Sequence, residues 1–257
     1  MKSGPSQEPT MRADRTIDSA LITVTLALFV ATAFGLSETA GGVSVWQPSE
    51  WKGVHDAAKA LILPLLALRF GLAMKDGPSA DRTLRNCVLT AMALCWIGDL
   101  ALTFSGETAF LIGLVSFLLG HVFFIMALRQ VFLSGWGQSK AWIRVLSTGL
   151  MSVEAIAVAK SLWEPAGTLA PAVAGYAVVI TIMALLTWYL AMGPGVLALR
   201  VGATAFLASD MILAFGKFGE APIPHGHLWV MATYILAQWA LAVGFTQVAS
   251  RPKANHP

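Results

Sequence analysis

Residues Ala109–Leu133 read AFLIGLVSFLLGHVFFIMALRQVFL, a run of 25 in which His121 and Arg129 are the only titratable side chains. A bilayer core takes about 20 consecutive apolar residues as a helix, so this run is long enough to cross it. Seven more such runs lie outward from it: Ile17–Leu36, Val54–Ala73 and Leu84–Phe104 before, then Trp142–Leu162, Thr168–Ala191, Gly195–Phe218 and His227–Ala249 after. Turn formers separate them, at Gly41-Gly42, Asp76-Gly77-Pro78, Ser105-Gly106, Gly135-Trp136-Gly137, Glu164-Pro165, Gly193-Pro194 and Pro222–Pro224. Period-two alternation is absent, which excludes a transmembrane barrel. The predicted fold is all-α: a polytopic membrane protein of eight transmembrane helices. Its membrane domain spans 17–249, with tails at 1–16 and 250–257. The loops are too short for a soluble catalytic domain, so any chemistry lies within the bundle.

Composition agrees. Of 257 residues, 56% are hydrophobic and 12% charged, about half the charge of an ordinary globular domain. With a mean hydropathy of +0.69, this excludes a soluble enzyme, a disordered chain and a fibrous repeat. A net charge of +3 suggests nucleic acid in a soluble protein, but here the basic residues fall between apolar runs, where they orient the chain in the bilayer. Lys and Arg divide 13 to 4, with Lys52, Lys59, Lys160 and Lys217 alone on the side away from the N-terminus. Both termini are therefore expected in the cytoplasm. Lys2, Arg12 and Arg15 precede the first run, and Ala31-Thr32-Ala33 has the form of a cleavage site. The run is longer than the 7–15 residues of a signal-peptide core, so a retained helix is expected. Cys87 and Cys95 stand eight apart in one run, about 12 Å along a helix, too far for a disulfide.

Ionisable groups inside a span are costly and mostly mark function. The candidates here are Lys59, Asp99, His121, Glu154 and Asp210, with Tyr234 and Gln238 as hydrogen-bonding companions. Lys59 also sits where it can snorkel to the interface. A lone histidine such as His121 is often a packing residue, and Glu154 has the bland reading of a helix–helix pair. Tyr234 and Gln238, spaced i, i+4, share a face. The aspartates resist such readings. Counted from the span ends, Asp99, Asp210, Lys59 and Tyr234 all fall roughly 8–12 Å below the non-cytoplasmic surface. Four helices thus put polar groups in one layer.

The aspartates also have similar surroundings. Trp96–Phe104 reads WIGDLALTF and Leu207–Phe215 reads LASDMILAF, each with a small residue before the acid and Phe five after it. A separation of four helices is what a parallel four-plus-four duplication would give. Phe110, Gly113, Phe117 and His121 form one stripe of the fourth run.

At these residues the chain resembles the YhhN family of lysoplasmalogenase-like integral membrane proteins. The resemblance is carried by Gly98-Asp99, by Phe110, Gly113, Phe117 and Gly120-His121, and by Tyr176. It continues in Gly202-Ala203, Phe206, Ser209-Asp210 through Phe218, and Tyr234–Gln238. Lys59 matches a family lysine, although the proline expected next is Ala60, with Pro64 further on. The resemblance implies eight helices in a membrane, with no metal and no organic cofactor. It also implies hydrolysis of the vinyl ether bond of a lysoplasmalogen, a single-chain ether lysophospholipid, to a fatty aldehyde and a glycerophospho-base. Asp99 and Asp210 would be catalytic, with Lys59, His121, Tyr176, Ser209, Tyr234 and Gln238 in support.

The chemistry suits the residues. Vinyl ether cleavage needs an acid to protonate the β-carbon and a carboxylate to steady the oxocarbenium ion or activate water. Two carboxyls in a low-dielectric layer do not both carry charge cheaply, which is the asymmetry required. Lys59 would grip phosphate or influence the second acid. The competing reading is a proton-coupled transporter with the aspartates as a relay, though no broken helices recur in matching places. A ceramidase-type zinc amidase needs several deep histidines, and only His121 is deep while His55, His225 and His227 sit at run ends. A serine hydrolase lacks its Gly-x-Ser-x-Gly elbow.

Overall fold

The computed structural model describes residues 8–34, 36–38, 44–46, 52–75, 79–221 and 223–250. Among these residues eight long helices follow in order: α1 (Glu8–Phe34), α2 (Lys52–Ala73), α3 (Ser79–Ala101), α4 (Glu107–Leu133), α5 (Ala141–Ala166), α6 (Ala170–Tyr189), α7 (Val196–Phe218) and α8 (Gly226–Ala249). Between α1 and α2, the three-residue strands β1 (Leu36–Glu38) and β2 (Ser44–Trp46) pair antiparallel, a local hairpin that forms no barrel. Among the described residues, five stretches are long and apolar enough to cross a membrane: Arg82–Ala101, Glu107–Leu133, Ala141–Tyr189, Val196–Phe218 and Gly226–Ala249. The third of these runs through both α5 and α6. Helix α2 carries Asp56, Lys59 and Arg69, a charge load that sets it apart from the five on composition.

Most helix bounds lie within two residues of expectation, and the larger departures have local causes. Helix α1 begins at Glu8, inside the stretch expected as a tail, and α3 begins at Ser79 and ends at Ala101 rather than Phe104. Helix α5 continues through Pro165, where a chain break was expected. Proline so close to a helix end removes a single intrahelical bond. The helix stops instead at Gly167, whose φ of 53° is left-handed. The expected tail residues 1–7 and 251–257, with Lys2, Arg251 and Lys253, lie outside the described residues, as do the turn at 41–42, that at 76–78 and Pro222.

Each of α2, α3, α4, α6, α7 and α8 packs on the next, and α8 returns to α2, closing a ring of six helices. Helix α1 lies outside the ring against α2 and α8, and α5 outside it against α6 and α7. Two hairpins dominate the packing, α3 on α4 and α7 on α8. Both bring backbones close at small residues, as membrane helices do where lipid offers no hydrophobic drive for association. A Cβ on Gly120 would stand 2.9 Å from Cys95 Sγ, and one on Gly202 would stand 2.8 Å from the Leu241 backbone nitrogen. Below the polar layer, Phe124 and Phe245 stack at 6.1 Å, and Phe206 meets Phe124 edge-on. The Arg69–Asp18 ion pair (2.9 Å) fastens the last turns of α2 to the middle of α1. Buried Arg200 donates to the carbonyls of Thr187, Trp188 and Leu190, covering the C-terminus of α6 where a cation is electrostatically favoured.

Candidate active site

A cavity of about 410 Å³ opens at the end of the ring opposite residues 8 and 250. Asp99 from α3, Lys59 from α2, Ser209 and Asp210 from α7 and Tyr234 from α8 share its wall. The polar layer read from helix counting is thus one chamber. Asp99 is 3% exposed. Its Oδ1 lies 3.6 Å from Lys59 Nζ, and its Oδ2 accepts a 2.6 Å hydrogen bond from the Tyr234 hydroxyl. Asp210 has other company. Tyr176 donates to its Oδ2, and His121 Nε2 stands 3.8 Å from the same oxygen. No Lys or Arg lies within 4.0 Å of Asp210 among the described residues.

Local sequence explains how Lys59 is aimed. Pro64 lies inside α2 and supplies no N–H to the carbonyl four residues earlier. That carbonyl is Ala60's, and it accepts a 2.8 Å hydrogen bond from Trp96 Nε1 on α3. The repaired bond ties α2 to α3 beside the Lys59–Asp99 pair. The lysine's ammonium thus lies beside a carboxylate. Ser209 donates to the Val230 carbonyl (3.1 Å), joining α7 to α8 one turn above Tyr234.

His121 is wholly buried behind Asp210, edge-on to Tyr176 and Phe206, and neither ring nitrogen completes a hydrogen bond among the described residues. Gln238, also wholly buried, sits one turn below Tyr234, near Cys95, and its amide likewise completes none. Neither lines the cavity. Glu154 does not join the site: it is half-buried on the outlying α5, and its Oε2 has no partner there. The helix–helix pairing expected of it is absent among the described residues; α5 is instead linked to α6 by the 2.8 Å hydrogen bond between the Thr148 and Tyr189 hydroxyls.

Three further features border the chamber, and the two at its mouth escaped sequence reading. A narrow apolar cleft of about 50 Å³, walled by Leu102, Phe110, Leu114, Val173, Leu213 and Phe218, meets the cavity at Asp210 and Phe117. Lys217 lines the mouth with its ammonium 5.3 Å from the Phe110 ring centroid. His227 lines the mouth too, with its Nε2 3.0 Å from His55 Nε2. The available signal was spacing: His55 precedes Lys59 by four residues and His227 precedes Tyr234 by seven, each pair on one helix face. Among the described residues no three His, Cys, Asp or Glu side chains gather as a metal site.

The model of the YhhN family matches residues 54–245, about three quarters of the chain. The chain belongs to the YhhN family. The matched region begins beside His55 and takes in α3 through α7 entire, with every residue named around the cavity. No curated protein and no solved structure matches this YhhN chain.

Proposed function

We propose that this YhhN protein is a membrane-embedded vinyl ether hydrolase acting on lysoplasmalogen-type lipids, with all eight helices crossing the bilayer and both termini cytoplasmic. One observation carries the reading: two carboxyls face one chamber in unequal surroundings. Asp99, held by Lys59 and Tyr234, is suited to remain a carboxylate. Asp210, with a phenol and an imidazole but no Lys or Arg within 4.0 Å among the described residues, is suited to donate a proton. It also stands where the apolar cleft meets the polar cavity, the place at which a lipid's chain joins its head.

The steps balance within the site. Asp210 protonates the β-carbon as the ether oxygen's lone pair forms the oxocarbenium ion. Asp99 steadies that cation and takes a proton from the attacking water. The hemiacetal then collapses: its hydroxyl proton returns to Asp210, the C–O bond breaks, and Asp99 returns its proton to the departing alcohol. Both carboxyls end as they began, and no cofactor is called for.

The test is purified protein given a 1-alkenyl lysophospholipid and its ester analogue, with aldehyde release measured in the presence of chelator. Aldehyde is expected from the alkenyl lipid alone. Asp99→Asn and Asp210→Asn should each lower turnover by at least about 100-fold. The double variant should be hardly worse, because the two act as a unit. Near-normal turnover in either single variant refutes the two-carboxylate mechanism.

A further inference from the structure

At the cavity mouth, the first turns of α2 and α8 bring His55 and His227 together with their Nε2 atoms 3.0 Å apart and their ring planes inclined at 42°. Two imidazole nitrogens bound to one ion at about 2.0–2.1 Å stand about 2.9 Å apart at a right angle and about 3.3 Å apart in a tetrahedron. The observed separation falls between these. The outer nitrogen of His55 is also engaged, with its Nδ1 3.1 Å from Asp56 Oδ1. A carboxylate behind a histidine in this way fixes the ring so that its Nε2 lone pair points at the metal position. Asp56 is itself paired to Lys52.

We propose that His55 and His227 form a binding site for one divalent late-transition ion, zinc in the first instance, with Asp56 as the outer carboxylate. His227 lines the cavity, so the remaining coordination positions face water or a ligand lodged there. The two contacts fit a metal-free chain in which His55 donates from Nδ1 to Asp56 and its Nε2 accepts from His227 Nε2–H. In the metal-bound state His227 carries its proton on Nδ1 rather than Nε2, so both rings stay neutral. Imidazole pairs select zinc, copper and nickel over magnesium, which prefers oxygen ligands. The ion lies on the outer side of Lys59, away from Asp210, and the hydrolytic steps make no use of it.

The experiment reads binding alone and is independent of what the cavity hydrolyses. The full chain, purified in detergent with any affinity tag removed, is dialysed against zinc chloride with a competing chelator. One zinc per chain is expected, undisturbed by millimolar magnesium. His55→Gln and His227→Gln should each abolish it, Asp56→Asn should weaken it about 10–100-fold, and exposed His225→Gln should leave it intact. Copper(II) bound to the unaltered chain should show two imidazole nitrogens in its electron paramagnetic resonance spectrum, a readout that needs no variant to fold. Absence of stoichiometric zinc, displacement by magnesium, undiminished binding in either histidine variant, or a single-nitrogen copper spectrum overturns the proposal.

Discussion

Replacing Lys59 by methionine tests the centre of the chamber by a route independent of any substrate. The Lys59 and Asp99 side chains are 8% and 4% exposed, and their charged atoms lie 3.6 Å apart. At an effective dielectric of about 20, that separation corresponds to an attraction of about 4–5 kcal/mol. Removing one partner of a buried pair costs about 3–5 kcal/mol, because the other is left as an unpaired buried charge. Methionine keeps the length of the stem and fills the space, so the loss is electrostatic. For a domain of this size, that loss lowers the melting temperature by roughly 6–20 °C. The diagnostic partner is Asp99→Asn. In the Lys59→Met background it removes the stranded carboxylate, and stability should return to within about 1–2 kcal/mol of the original. Thermal unfolding of the four proteins in one detergent closes the cycle. A Lys59→Met protein as stable as the parent, or a double variant no better than the single, would falsify the pairing. The sequence allowed Lys59 to grip a phosphate instead. With its ammonium on Asp99, the variant should lose turnover at saturating lipid rather than affinity.

Two other substitutions probe how the chamber is held. Trp96→Phe keeps an aromatic side chain but leaves the Ala60 carbonyl without the indole donor, and should destabilise the protein by about 1–3 kcal/mol by chemical denaturation; no change would mean that the Pro64 gap is satisfied otherwise. Gly202→Ala places a methyl 2.8 Å from the Leu241 nitrogen and 3.0 Å from the Ala237 carbonyl, backbone atoms that cannot swing aside. It should cost about 1–3 kcal/mol, whereas Gly216→Ala, with nothing within 4 Å, should be neutral or stabilising by up to about 1 kcal/mol.

The fold was legible where one kind of signal dominated. An unbroken apolar run such as Ala109–Leu133 has one stable form in lipid, because only a helix satisfies its backbone internally. Hence α4 begins within two residues of the expected start and ends at the expected residue. The ends that moved are those where lipid stops deciding. Helix α1 starts at Glu8 and α3 at Ser79 because polar residues continue a helix readily once it is nucleated. The arrangement of the helices was not legible. Ring closure between α2 and α8 is a contact between segments distant in the chain, and hydropathy carries no term for it.

The site divides the same way. Depth along a helix is fixed by rise per residue, so counting from the span ends was enough to put Asp99, Asp210, Lys59 and Tyr234 in one layer. Which of them touch is set by rotation about each helix axis, and that follows from packing. Counting therefore left Lys59 free to serve phosphate or carboxylate, and left the two aspartates interchangeable. The asymmetry between them comes from neighbours on other helices: Lys59 and Tyr234 reach Asp99 from α2 and α8, while Tyr176 reaches Asp210 from α6. Depth was also the criterion that set His55 and His227 aside, since a histidine at a run end has water to satisfy it. Ring closure undoes that exemption. It brings the two ends together over the cavity, where each imidazole meets the other before it meets solvent. A criterion applied to one helix at a time cannot register this, because the site at the mouth exists only once α2 and α8 are neighbours.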